Sequence, residues 1–117
     1  MQSPTQYAVQ RKHQRYVFSE SLVVIRKLPN DMVRAPAIST EISEGGMSAI
    51  VTEPLKIGDE VELSFELTRG VRTHIKAVVR NQFHFRHGFE FVGLTPEQQE
   101  EIRRVCASLT PYEGGWY

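Results

Sequence analysis

The chain has few of the residues that build covalent cross-links, metal centres or acid–base catalysts. Cys106 is the single cysteine, which excludes a disulfide within the chain, and its place on an apolar stripe indicates a core residue rather than a nucleophile. Aspartate occurs only at Asp31 and Asp59. Two of the four histidines, His84 and His87, lie three apart near a predicted strand and would point to opposite faces. Without a Walker-type loop or a G-x-S-x-G elbow, we expect neither a metal site nor an enzyme.

Neither sign of charge is in excess, because 14 lysines and arginines balance 14 aspartates and glutamates. General nucleic-acid binders usually carry a positive bias, so we expect no nucleic-acid polymer as partner. A barrel for single-stranded RNA would also need aromatic residues on an exposed basic face. No apolar run approaches the roughly 20 residues that span a bilayer, and the N-terminus lacks the apolar region of a signal peptide. We therefore expect a cytoplasmic protein without membrane insertion.

The hydrophobic pattern predicts one domain of short strands, since 117 residues suit a single core. The clearest segment has apolar residues at alternate positions from Val61 to Leu67 with glutamates between them. Turn residues separate it from five similar segments. The six predicted strands are Tyr16–Ile25, Met32–Ile42 with Pro36 at a bulge or edge, Met47–Thr52, Glu60–Leu67, Thr73–Gln82 and Phe85–Val92.

One helix is predicted after the strands. Thr95 is its N-cap, Pro96 takes the first helical position, and Gln98 completes a capping box. An apolar stripe follows at Ile102, Val105, Cys106 and Leu109. The fold class is therefore mainly β, a small six-stranded antiparallel β-barrel with a C-terminal α-helix. We assign residues 1–10 to a flexible arm, 11–109 to the barrel domain and 110–117 to an aromatic tail that packs on the barrel, binds a partner or is disordered.

Two short motifs lie within the first 46 residues. Arg11 and Arg15 form an R-x-x-x-R pattern, and about thirty residues later Glu41, Ser43 and Gly46 form E-x-S-x-x-G. Guanidinium groups bind phosphate and the guanine edge bidentately, and they stack on flat rings. A carboxylate accepts hydrogen bonds from the N–H groups of guanine, and glycines let a ligand approach the backbone closely. Together the motifs indicate a receptor for an anionic ligand that contains guanine, although each alone is common in basic segments and turns.

These residues resemble the PilZ domain family, bacterial receptors for cyclic diguanylate (c-di-GMP). The family pattern is R-x-x-x-R followed by (D/N)-x-S-x-x-G, and the resemblance extends to the helix near Leu109. Glu41 departs from this pattern, because glutamate stands where the family usually has aspartate or asparagine. Its additional methylene moves the acceptor by more than about 1 Å. The resemblance implies a six-stranded barrel with a C-terminal helix, c-di-GMP as ligand and no cofactor.

By the same resemblance, the ligand-binding residues would be Arg11, Arg15, Glu41, Ser43, Gly46 and Arg80. Arg11 and Arg15 would contact guanine and phosphate, and Glu41 and Ser43 would hold a guanine edge. Arg80 would line a further side of the binding site. Binding would order the N-terminal arm and alter contacts with an unidentified downstream protein. The alternative is a degenerate PilZ-like barrel that binds another protein without nucleotide.

Overall fold

The computed structural model describes residues 13–113, and they form seven strands and one helix. The elements are β1 (Tyr16–Val17), β2 (Ser21–Leu28), β3 (Asp31–Ile42), β4 (Gly46–Val51), β5 (Glu60–Thr68), β6 (Val71–Phe83), β7 (Arg86–Phe91) and α1 (Pro96–Cys106). The predicted arm, residues 1–10, lies outside the described residues.

All strand pairs are antiparallel, and they follow the order β1-β3-β2-β5-β6-β7-β4. A further pairing of β3 with β4 closes β2 to β7 into a six-stranded barrel. Closure removes most of the open sheet edge that would otherwise invite pairing with another chain. The predicted six-stranded antiparallel barrel with a C-terminal helix is confirmed, with β1 as an additional short strand.

The prediction of one continuous strand from Tyr16 to Ile25 was wrong, because the chain is interrupted between Val17 and Ser21. β1 pairs Val17 with Glu41, whereas β2 pairs Ser21 with Ile38, so one side has an additional residue. The buried hydroxyl of Ser39 fills this irregularity, since it donates to the Phe18 carbonyl at 2.5 Å and accepts from the Glu20 amide at 2.8 Å. A bulge of this kind breaks the ladder locally.

Pro36 lies on β3 at a place where its missing N–H group matters little. It pairs with Val23 of β2, but β4 pairs with β3 only from Ala37 onward. The second edge of β3 is therefore open at this residue, which fits the predicted edge position.

The core fills the barrel with alternate residues from each strand, including Leu63, Phe65 and Ile75, and α1 covers one end of it. Ile102 and Cys106 of α1 are buried in this core, as the apolar stripe predicts. The remaining members of the stripe, Val105 and Leu109, are partly buried and pack against it. The predicted capping box is present.

The chain after the helix returns along β1. The Val17 amide donates to the Thr110 carbonyl, and the Tyr112 amide donates to the Arg15 carbonyl, each at 2.8 Å. Tyr16 forms a bridge with Pro111 between these bonds. The described part of the tail therefore packs back on the segment that carries Arg15.

Residues 13–113 contain neither a candidate membrane-spanning helix nor a cluster of candidate metal ligands. No helix in this range is long and apolar enough to cross a membrane. No group of three or more His, Cys, Asp or Glu side chains in the range is arranged to hold a metal ion.

Candidate functional site

A groove of about 570 Å³ lies on the outer surface of β4 and β7, beside the segment that precedes β1. Its floor lacks large side chains, because Gly46, Ser48 and Gly88 follow one another on this face. Gly46 pairs with Glu90, and Ser48 pairs with Gly88, so the small residues are direct or diagonal neighbours. Backbone atoms of both strands thus form part of the groove lining at Gly46 and Gly88.

Gly46 is required by the barrel itself. A Cβ atom at this position would overlap the carbonyl oxygen of Phe89 on β7. Gly88 is also crowded, because a Cβ there would collide with the side chain of Asn81. The close approach of β4 and β7 therefore demands glycine at position 46, and the side chain of Asn81 takes the space beside Gly88.

Ser43 organises the turn that leads from β3 into β4. Its amide donates to the Gly46 carbonyl at 2.8 Å, and its hydroxyl accepts from the Gly45 amide at 3.2 Å. The Gly45 carbonyl in turn accepts from the Phe91 amide at 2.9 Å. Ser43 and the glycines thus hold the end of the groove in shape before any ligand contact.

A β-bulge turns Glu41 toward the groove. Ala35, Ala37 and Ser39 point into the barrel at alternate positions, and simple alternation would place residue 41 inside as well. The register shifts between Ser39 and Glu41, so Glu41 pairs with Ser48 on the outer face while Ile42 enters the core. Bulges commonly re-aim side chains next to functional sites.

Glu41 is the most buried charged group of the site, with 1% of its surface exposed. Its Oε1 accepts from Arg15 Nη1 at 2.6 Å, and its Oε2 accepts from Arg86 Nη2 at 3.3 Å. A buried carboxylate needs such cationic partners because an uncompensated charge in the interior is very unfavourable. Glu41 therefore fixes the guanidinium of Arg15 at the groove.

Arg80 stands at the opposite side of the groove, also at a bulge. The register of β6 and β7 shifts between Val79 and Asn81, which leaves Arg80 as the additional residue. Its Nε contacts Glu90 Oε1 at 2.5 Å, but the two side chains are 56% and 53% exposed. An ion pair this exposed is weak, so the guanidinium is available for exchange with an anion.

Five of the six predicted site residues line this one groove: Arg15, Glu41, Ser43, Gly46 and Arg80. Arg11 lies outside the described residues. The predicted contact between Glu41 and guanine stays a prediction, and in this structure both carboxylate oxygens accept from arginines.

Sequence reasoning missed the partner of Glu41 and most of the groove floor. Arg86 is 45 residues from Glu41 along the chain, and no spacing rule connects them. Ser48 was detectable in principle, since it follows Gly46 at an interval of two on a predicted strand and so shares its face.

Comparison with known proteins gives a family and a set of structural relatives. The chain matches the PilZ domain over residues 9–108. No curated protein sequence matches it. Among solved structures, the PilZ domain with c-di-GMP of YcgR from Escherichia coli has a TM-score of 0.68 and 17% identity, covering 86% of this chain and 91% of that chain.

Two further structures have the same fold. The PilZ domain of CeSA from a cellulose-synthesizing bacterium has a TM-score of 0.65 and 15% identity, covering 80% of this chain and 94% of that chain. The inhibitor of motility MotI (DgrA) from Bacillus subtilis has a TM-score of 0.66 and 18% identity, covering 83% of this chain but only 49% of that chain. With the family match over most of its length, the chain belongs to the PilZ domain family.

Proposed function

We propose that this protein is a receptor for c-di-GMP and that the ligand binds in the groove beside Arg15 and Gly46. The observation that carries the proposal is that four residues of the two motifs, together with Arg80, line one groove with a floor of small residues. YcgR, a structural relative, is described with c-di-GMP bound to its PilZ domain. The proposed role is binding rather than catalysis.

The residues of the groove suit different parts of this ligand. Arg15 and Arg80, on opposite sides, carry planar guanidinium groups that pair with phosphates or stack on guanine. Gly46 and Gly88 bring backbone atoms, rather than side chains, to the groove lining, where a flat base would lie against them. Ser43 keeps the turn closed and offers a hydroxyl at its end.

Binding would proceed by exchange of ion-pair partners. Arg15 contacts Glu41 and Arg80 contacts Glu90 in the structure. A phosphate or a guanine edge replaces part of these contacts with charge-assisted hydrogen bonds of similar strength. The net affinity is therefore set by how readily each arginine leaves its carboxylate.

The signal would pass through the N-terminal segment. Arg15 immediately precedes β1, and the predicted arm with Arg11 comes before it. Ordering of the arm on binding costs conformational entropy but creates a new surface for a downstream protein. Protease protection of residues 1–15 is expected to rise at saturating ligand, and unchanged protection would contradict this output. A cytoplasmic location accompanies the proposal, since c-di-GMP is made inside bacterial cells.

Isothermal titration calorimetry tests the receptor function. Wild-type protein is expected to show saturable heat with c-di-GMP and none with GTP, and R15A is expected to lose it. R104A is the matched control, because Arg104 is an exposed arginine on α1 and does not line the groove. Absence of heat with wild-type protein at high ligand concentration would reject the receptor function.

A second candidate function, a protein-binding barrel without nucleotide, is favoured by an exposed apolar row. Ile38 pairs with Ile50 on the outer face, Ile50 with Arg86, and Arg86 with Phe83. The three apolar members are 41% to 61% exposed. Such patches often mark protein contacts. Retention of a partner on immobilised protein that c-di-GMP does not alter would favour this alternative.

A further inference from the structure

The two oxygens of Glu41 are bound by arginines from different parts of the fold. Arg15 comes from the segment before β1, lines the groove, and binds Oε1 at 2.6 Å. Arg86 begins β7, on the barrel itself, and binds Oε2 at 3.3 Å. The groove lining includes Arg15 and Glu41 but not Arg86. Arg86 therefore approaches the carboxylate from a side that the groove does not include.

Arg86 has further contacts that keep it in place. Its Nη2 also lies 3.3 Å from the hydroxyl of Thr40, at the bulge of β3, and 3.4 Å from the hydroxyl of Tyr112. Its side chain is only 24% exposed. These contacts are long and share one nitrogen, so the low exposure of Arg86 and its place on a barrel strand are what keep it beside Glu41 when the segment before β1 moves.

The burial of Glu41 makes the second arginine important for ligand exchange. If Arg15 turned from Glu41 to a phosphate, the buried carboxylate would lose a cationic partner, and removal of one member of a buried pair is strongly unfavourable. A second guanidinium that remains at the other oxygen reduces that penalty. The ligand then competes for Arg15 with a carboxylate that Arg86 also binds, rather than with a carboxylate that has Arg15 alone.

We propose that Arg86 is a positioning residue of the groove, which retains Glu41 so that Arg15 can be transferred to the ligand. This inference rests on the proposed c-di-GMP binding. It also gives a reason for glutamate at position 41, because aspartate, shorter by one methylene, would hold its oxygens about 1 Å farther from the two arginines.

The test is a titration of c-di-GMP into R86M and R86K. R86M is expected to weaken binding about tenfold or more, although Arg86 does not line the groove. R86K keeps the charge and is expected to stay within about threefold of wild type. R26M is the matched control, because Arg26 is a similarly exposed arginine on β2 that pairs with Asp59. If R86M does not fold, R86Q gives the same comparison.

A double-mutant cycle separates positioning from a general structural role. In the E41Q background, where no carboxylate needs a cation, R86M is expected to change the affinity less than about threefold. Equal losses in both backgrounds, or wild-type affinity in R86M, would overturn the inference. Loss of binding in E41Q alone would also overturn it, and would favour instead the direct contact between Glu41 and guanine that the family resemblance implies. If wild-type protein binds no c-di-GMP, the proposed function fails first and the inference falls with it.

Discussion

Gly46 lies so close to the carbonyl of Phe89 that no side chain fits between β4 and β7. The last residue of the E-x-S-x-x-G motif is thus required by the closed barrel as well as by the groove. The motif serine also has a structural role, because Ser43 forms hydrogen bonds within the turn that leads from β3 to Gly46. Two of the motif residues therefore build the site by shaping the backbone.

The first prediction concerns Gly46 and its neighbour. G46A is expected to lower the free energy of unfolding by about 1–3 kcal/mol, because β4 and β7 must separate to admit a methyl group. G45A is the matched control. Its Cβ would approach only the ring of His13, at 2.8 Å, and an exposed side chain can move aside. Chemical denaturation measures both, and equal stability of the two variants would show that the close approach is unimportant.

The second prediction concerns the exposed pair of Arg80 and Glu90. R80A is expected to weaken c-di-GMP binding, whereas E90Q is expected to strengthen it by about two- to fivefold, since Arg80 no longer has a competing carboxylate. Both variants should alter stability by less than about 1 kcal/mol because the pair is solvent-exposed. Calorimetric titration distinguishes the two, and weaker binding in both would indicate that Glu90 itself contacts the ligand.

The third prediction concerns Cys106, whose pKa is raised from the ordinary 9.0 to about 11. Burial is the main cause, and the negative charge of Glu44 adds to it. Because the folded protein holds the thiol proton more tightly than the unfolded chain, this stabilisation is complete below pH 9 and is lost as the pH rises through about 11.

Wild-type protein should therefore lose more stability than C106A between these pH values. Thermal unfolding from pH 8 to 11 measures the difference. Parallel curves for the two proteins would contradict a buried, neutral thiol.

The fourth prediction concerns the tail along β1. Deletion of residues 110–117 removes the bonds from Val17 to Thr110 and from Tyr112 to Arg15, at a cost of about 1–3 kcal/mol of stability. Hydrogen exchange at the Val17 amide should then accelerate. A deletion of residues 114–117 keeps both bonds and serves as the control. Unchanged hydrogen exchange at the Val17 amide after the longer deletion would show that the tail does not stabilise β1.

Much of the fold could be predicted because local patterns and long-range packing agree. The alternation that places Val61, Leu63 and Phe65 inward defines a strand of almost the observed length, and the capping residues define the start of the helix. The prediction of one continuous strand from Tyr16 to Ile25 was wrong. That interruption depends on which residues of β3 lie opposite, which the local sequence does not encode.

The site was predicted through its motifs but not through its geometry. Resemblance to the family singled out Arg15, Ser43 and Gly46, and the structure places them at one groove. Glu41 faces that groove only because of the bulge before it. Its bond with Arg86 joins residues far apart in sequence, so neither spacing nor composition indicated it.

The most direct test of c-di-GMP binding in this groove is a titration of isotopically labelled protein followed by amide chemical shifts. Glycine amides suit the purpose because Gly45, Gly46 and Gly88 line the groove, while Gly70 lies in the turn between β5 and β6 and reports any general disturbance. Saturable shifts of the three groove glycines with an unmoved Gly70 are predicted, and the same titration with GTP should leave all four in place. Shifts that are absent, or that avoid the three groove glycines, would contradict the account.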